Sequence, residues 1–230
     1  MLGTIINTVT VLVGSSAGLL LGKRMGDSGK ETVFQVVGLF TFYLGTSMAL
    51  ETRIPIGLIL GLLTGTLLGE SLELEEILEG AAERLRQRIG VDSNFVEGLM
   101  TAFLTFCVGP MTIIGSIRDG MGDPSIIMAK SVMDGFASMA YATALGPGVV
   151  FSSIPLFLFQ GSLSIVGSLI GASLPEAAIG DLTGAGGVIL LGLALNLLKV
   201  RRIKVGNMLP SLLMAPLISI LWSGLPIPTP

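Results

Sequence analysis

The sequence predicts an all-α, polytopic bundle of about eight transmembrane helices, and three observations predict it. Half of the residues are apolar, the apolar residues fall into runs near bilayer length, and most charges sit between the runs. Of 230 residues, 51% are hydrophobic and 13% charged, with a mean hydropathy of +0.85, whereas a soluble domain carries charge on roughly a quarter of its residues. Aromatic residues are sparse at 6% while glycine reaches 32, a balance that suits close helix packing through small side chains. The single cysteine, Cys107, excludes an intrachain disulfide and a cysteine metal site. Histidine is absent, which removes imidazole from any catalytic or metal-binding role. With no paired-carboxylate or Ser-Lys motif at recognisable spacing, the chain reads as a non-enzyme. No cofactor, metal or nucleic-acid partner is expected.

The whole chain, 1–230, reads as one integral membrane domain. The first run, 2–22, has no basic residue before it and is followed by Lys23-Arg24, so it reads as a retained span rather than a signal peptide. A second span covers about 33–50 and a third about 54–68, the latter short for the roughly 20 residues that a crossing takes. Over 70–92 the pattern changes: Leu72, Ile77, Leu78, Ala81, Leu85 and Ile89 recur at helical spacing among acids and then arginines. That is an amphipathic helix, cytoplasmic or interfacial, with its charges ordered to suit the helix dipole. The remaining spans fall near 95–117, 126–145, 149–174, 182–198 and 205–222. The tail 224–230, with three prolines, cannot be helical throughout.

Eight crossings distribute the basic residues unevenly. Lys23, Arg24, Lys30, Arg84, Arg86, Arg88, Lys199, Arg201, Arg202 and Lys204 fall on one side, and Arg53, Arg118 and Lys130 on the other. The positive-inside rule makes the first group cytoplasmic and places both termini outside a cytoplasmic membrane.

The two ends of the chain also resemble each other. A shift of 153 places Asn7 on Gln160 and Val13-Gly14-Ser15 on Val166-Gly167-Ser168; a shift of 149 places Arg53-Ile54 on Arg202-Ile203 and Gly57 on Gly206; a shift of 147 places Leu44-Gly45 on Leu191-Gly192. Spans one to three then correspond to spans six to eight. Five crossings separate the first from the sixth, so the repeat is inverted, as in many secondary transporters.

Four motifs carry a family resemblance: GPMTIIGSIRDGMGD at 109–123, KSVMDG at 130–135, GPGVVFSSIP at 146–155 with Gln160-Gly161 after it, and TGAGG at 183–187. Together they resemble the YqgA-like family, bacterial and archaeal membrane proteins of unknown function, over nearly the whole chain. The resemblance implies a polytopic protein of the cytoplasmic membrane and names no substrate.

Candidate site residues lie where polarity interrupts the apolar runs. Asp134 follows Lys130 by one helical turn, so the two can pair within the membrane. Asp134 reads as a proton- or ion-coupling carboxylate. Lys130 reads as its structural partner near the outer end of the fifth span, snorkelling toward the headgroups. Gly109-Pro110 interrupts the fourth span, and Pro110 leaves the Phe106 carbonyl without its usual donor. That carbonyl is a cation ligand in one reading and part of a packing kink in the other. Thr105, Thr112 and Ser116 surround the break, although hydroxyls in membrane helices more often bond their own backbone than a ligand. Asp181 reads as the N-cap of the seventh span, a structural acid, with Thr183 as the alternative. Asn7 and Gln160, equivalent in the repeat, and Asn196, deep in the seventh span, either line a pathway or make interhelical hydrogen bonds.

The expected function is transport of a small ion or polar solute through a site formed by the broken fourth span, Asp134 and the Asn7/Gln160 pair. The alternative is a membrane interaction or regulatory protein that acts through the amphipathic helix. The bilayer is the certain partner of such a chain, and its glycine-rich faces allow a homodimer. Topology is open to test by single cysteines in a background lacking Cys107. Those near residues 28, 87 and 202 are expected to react only from the cytoplasm, and those near 2 and 226 only from outside; labelling of 202 from outside while 28 and 87 stay cytoplasmic would exclude the eight-span arrangement.

Overall fold

The structure, a computed structural model, describes residues 1–24, 26–91, 94–170 and 176–223, so the expectation for the tail 224–230 lies outside the described residues. Every regular element among them is helical: α1 Leu2–Gly22, α2 Asp27–Ala49, α3 Pro55–Ser71, α4 Leu74–Ile89, α5 Phe95–Cys107, α6 Pro110–Gly120, α7 Ser125–Leu145, α8 Gly148–Phe151, α9 Ser153–Ile170, α10 Glu176–Leu197 and α11 Ser211–Ser223, with a 3-10 turn at Val205–Met208. Among the described residues, five segments are long and apolar enough to cross a membrane: Leu2–Gly22, Glu31–Ala49, Gly148–Leu169, Ala178–Leu197 and Val205–Trp222. Two further helix pairs, α3 with α4 and α5 with α6, bend at a short break and bring the number to seven if each pair is one crossing. The segment of the expected eight that is not among these is α7, 21 residues long, whose hydropathy is lowered by Lys130 and Asp134.

The helices are inside out by the standard of a soluble protein. α7 buries Lys130, Ser131, Asp134 and Ser138 while Val132, Met133 and Phe136 are exposed, Phe136 to 70%. Leu20 on α1, Leu67 on α3, Leu169 on α9 and Leu221 on α11 are likewise exposed. Water would penalise such surfaces by roughly 25 cal/mol per Å², whereas lipid tails do not, so these faces meet the bilayer.

The chain divides into two compact units, 1–37 with 79–107 and 111–172, and 38–78 with 108–110 and 173–230. In the first unit α1 and α7 run parallel along a seam of small residues. A Cβ at Gly14 would strike the Gly135 carbonyl, one at Gly18 the backbone of Met139, and one at Gly22 the Thr143 carbonyl. The Thr143 hydroxyl crosses the seam to the Gly18 carbonyl at 3.1 Å. α6 and α9 pack antiparallel in the same manner, Gly120 against the Ser164 backbone and Gly167 against that of Ile117. After α7 the chain reverses at Gly146, whose φ of 79° favours glycine over any other residue, and Pro147 follows directly.

In the second unit α3 carries glycine at every fourth position. Gly57, Gly61, Gly65 and Gly69 are all buried and face Ser219, Ala215, Ser211 and Asn207 in turn, so α3 and α11 are antiparallel. α10 meets α2 through Gly45 and Gly187, each of which approaches the other helix's backbone. The amphipathic helix predicted at 70–92 is α4, with Glu75 and Glu76 in its first turn and Arg86 and Arg88 in its last. Its beginning is tied to the second unit's 3-10 turn by Glu75, which accepts from the Gly206 N–H at 2.5 Å. Beside it, Lys204 bonds Glu76 at 2.7 Å and Glu70 at 3.4 Å, which holds the Glu76 carboxyl below and the Lys204 ammonium above their ordinary ranges.

The seams set a test of packing. Gly61→Val forces a branched side chain into the Ala215 backbone and should lower thermal stability in detergent by about 1–3 kcal/mol. Gly80→Ala on α4, where an added Cβ meets nothing within 4 Å, should be neutral or stabilising by about 0.4–1 kcal/mol. Equal melting shifts for the two variants would contradict the seam.

Candidate functional site

Asp134 lies on the buried face of α7, 6% exposed and near the middle of the helix. Its Oδ2 is taken up twice. Lys130, one turn earlier, places its ammonium directly on that oxygen, and Asn7 of α1 donates its Nδ2 from 3.0 Å. The same Nδ2 also donates to Gln160 Oε1 of α9 at 3.2 Å. Asn7 and Gln160 are completely buried. The repeat pair predicted from sequence is therefore in contact, and both partners belong to the Asp134 cluster. A carboxylate only accepts, so Asn7 must turn its NH2 toward Asp134, and Gln160 must then turn its carbonyl toward Asn7. One ionised group thus orients two amides.

Lys130 departs from expectation. It does not snorkel: its side chain is 9% exposed, its Nζ is drawn along the helix to Asp134, and it lies 5.9 Å from the centroid of the Phe106 ring. Phe106 in turn stacks at a tilt on Tyr141, with centroids 5.9 Å apart, and Cys107 is buried nearby. An aromatic wall and a carboxylate within reach give the ammonium better partners inside the protein than a stretched path outward would.

The fourth span is broken where Gly109-Pro110 predicted, with α5 and α6 meeting at 66°. The freed Phe106 carbonyl is not left open. Thr112, fully buried, donates its hydroxyl to it at 2.6 Å, which closes the break with a side chain and makes the kink reading the better account of that carbonyl. Thr105 bonds back to the Thr101 carbonyl at 2.8 Å, as hydroxyls in membrane helices tend to do. A Cβ at Gly109 would meet only the end of Met48, 3.9 Å away, so close approach does not explain that glycine.

Two other expectations change. Asp181 is not the N-cap of the seventh span, because α10 begins at Glu176 and Asp181 sits inside it. It caps a different helix: its Oδ1 accepts from the Arg53 and Ile54 N–H groups at 2.9 and 3.0 Å, at the start of α3, and its Oδ2 accepts the Ser219 hydroxyl. Asn196 is not deep in its span but one residue from the end of α10. Its amide clamps Ile203, donating to the carbonyl at 2.8 Å and accepting from the N–H at 2.6 Å, a loop-closing role.

Asp119 was no candidate from sequence. It caps α1, accepting from the Gly3 and Thr4 N–H groups at 2.9 Å each and from the Thr4 hydroxyl at 2.8 Å, across 115 residues of chain that leave no local signal. Also unforeseen is a set of buried polar atoms without a partner: in the first unit Asn7 Oδ1, Gln160 Nε2, Ser116 Oγ and Ser164 Oγ, and in the second Thr52 Oγ1. Buried polar atoms are nearly always bonded, and two of these five belong to residues of the Asp134 cluster.

The profile of the family described as "Protein of unknown function (DUF554)" matches residues 2–220. Among curated relatives, the chain is 30% identical to the uncharacterised membrane protein YdfK of Bacillus subtilis (strain 168) over 223 residues, 95% of each chain. It is also 30% identical to the uncharacterised protein YqgA of Escherichia coli (strain K12) over 230 residues, 97% of this chain and 98% of the relative. No solved structure matches. From residue 2 to residue 220, then, this all-helical chain with its five to seven candidate membrane spans belongs to the DUF554 family.

Proposed function

We propose that this protein is a small transporter of the cytoplasmic membrane that moves a small ion or polar solute through the buried site at Asp134, Lys130, Asn7 and Gln160. One observation carries the reading: a charged pair and two amides are gathered inside helices whose outward faces are apolar, with Asn7 Oδ1 and Gln160 Nε2 left unpartnered. A purely structural polar network would be expected to satisfy its own members, whereas a binding site holds capacity in reserve. Intramembrane ionisable residues of this kind mark pathways more often than packing. The site needs no catalytic residue, and the proposal includes none.

The eight-span topology with both termini outside belongs to the same proposal. Two helix pairs run as it requires: α1 and α7 are parallel, as spans one and five would be, and α3 and α11 antiparallel, as spans three and eight would be; α6 and α9, packed antiparallel, do not run as spans four and six would. The inverted repeat is supported by equivalent residues that meet. Asn7 bonds Gln160, and the Ser211 hydroxyl reaches the Leu62 carbonyl at 3.3 Å, a separation of 149 residues. Helices nearest a pseudo-two-fold axis must touch their own equivalents in this way. The rival reading, an interaction protein that acts through α4, draws on the exposed Ile77 of that charged helix. Copurification of one stable partner with no flux from reconstituted protein would favour it.

Asp134→Asn tests the site, since it keeps the shape and removes the charge. In vesicles it should abolish transport or its pH dependence while the protein remains folded. Asp181→Asn should instead leave transport intact and lower stability by about 1 kcal/mol, the usual cost of a weakened cap. Wild-type flux and pH profile in Asp134→Asn would make that carboxylate structural.

A further inference from the structure

Resting on that transport reading, we propose that the cargo of the site is a monovalent inorganic cation, which takes the place of the Lys130 ammonium on Asp134 and expels its proton. The charge balance of the cluster leads there. α1, α8 and α9 contain no ionisable side chain. α7 adds Lys130, Asp134 and the phenol of Tyr141. α5 adds the buried thiol of Cys107 and, in its first turn, Glu97. α6 adds Arg118, 3.9 Å from Asp123, and Asp119, whose carboxylate is consumed in capping α1. Asp134 therefore has one countercharge, Lys130, and the buried pair is neutral.

An anion entering this site would confront the carboxylate with its only cation already spent. A divalent cation would leave a buried surplus of charge, and it prefers several carboxylates among six or more oxygens. Among the described residues no group of three His, Cys, Asp or Glu side chains is placed to hold one. A single positive charge exchanged for another keeps the interior neutral.

The atoms without partners are mainly oxygens. Lys130 and Asn7 both address Oδ2 of Asp134. Asn7 Oδ1 has no partner, nor does Ser164 Oγ, which lies one turn from Gln160 on the same buried face of α9. Carboxylate, amide and hydroxyl oxygens are the ligands that hard cations select. Gln160 Nε2, the remaining unpartnered atom of the cluster, is a donor, and a water retained by the cation supplies its acceptor. In the exchange the cation pairs with the Asp134 carboxylate, one N–H bond of Lys130 breaks, its proton leaves to the aqueous phase, and neutral Lys130 remains. One cation enters for one proton, and the net charge of the site is unchanged.

The test separates binding from transport. Detergent-purified protein in weak buffer is titrated with NaCl, KCl or LiCl against choline chloride at fixed ionic strength, with proton release and thermal stability recorded. The wild type should be stabilised by at least one alkali cation and release about one proton per cation bound, with apparent affinity rising about tenfold per pH unit while Lys130 holds its proton. Lys130→Gln should bind without that release, and Asp134→Asn should neither bind nor release, both eluting as folded protein on gel filtration. The proposal is overturned if no alkali cation stabilises the wild type or releases protons, or if Lys130→Gln releases as many as the wild type. In phosphatidylethanolamine/phosphatidylglycerol vesicles containing a pH dye, an inward gradient of the bound cation should drive proton efflux. Cation-linked proton release without such exchange would uphold the cation site and overturn the transport reading. Flux of another solute without cation-linked release would do the reverse.

Discussion

A carboxylate inside an apolar helix bundle must be paired, and Asp134 is the group around which that requirement organises the first unit. Its two donors come from two helices: Lys130 from its own turn and Asn7 from α1. Hydrogen bonds to a charged group are worth about 1.5–3 kcal/mol each, enough to offset the price of placing the charge there. The polarity of α7 follows from this: a helix that buries its charges and hydroxyls must expose its apolar residues, and only a bilayer accepts that surface. What looks like a defect in the hydropathy of α7 is the same fact seen from outside.

The donors can reach Asp134 only because the backbones come close. Gly135, the residue after Asp134, lies against Thr10 and Gly14 of α1, and a Cβ at either glycine would separate the helices. Glycine costs helix stability in water, about 1 kcal/mol relative to alanine. In a membrane it permits an approach at which dispersion and cross-helix bonds such as Thr143 to Gly18 act along the whole seam. The second unit repeats the solution with four glycines of α3 against Ser219, Ala215, Ser211 and Asn207. Small residues and hydroxyls are therefore the main seam material of both units, which accounts for the scarcity of aromatic residues.

Much of this was legible in the sequence because it is local. Apolar run length placed the helices, with starts up to six residues off at α2, α10 and α11, Gly109-Pro110 marked the break, and the spacing of Lys130 and Asp134 put them on one face. The misreadings share a cause, which is that the deciding partner lies far away in the chain. Asp181 looked like a cap for the glycine-rich segment after it, yet its acceptors' donors are Arg53 and Ile54, and Gly184 and Gly187 pack on Thr52 and Ala49 rather than opening a helix. Thr112 closes the gap at Phe106 by reaching back over the break, and no helical spacing signals that. Asp119 caps α1 from the far end of another helix. Only for Asn7 and Gln160, buried amides that one sequence shift aligns, did the sequence reading include an interhelical hydrogen bond that the structure shows between them.

That pair also limits how the cluster can change. Asn7 is fixed on the glycine seam with Asp134, so the two cannot slide past one another without separating backbones in contact over three turns of helix. Gln160 belongs to α9, which is held instead against α6 by Gly120 and Gly167. The bond between the two amides is a neutral one at 3.2 Å, and such bonds contribute only about 0.5–1.5 kcal/mol net. The charged pair and its amide therefore form one rigid group, and Gln160 joins it through a single neutral bond. Of the links within the cluster, the bond between Asn7 and Gln160 is the one whose parting breaks neither a glycine seam nor the ion pair.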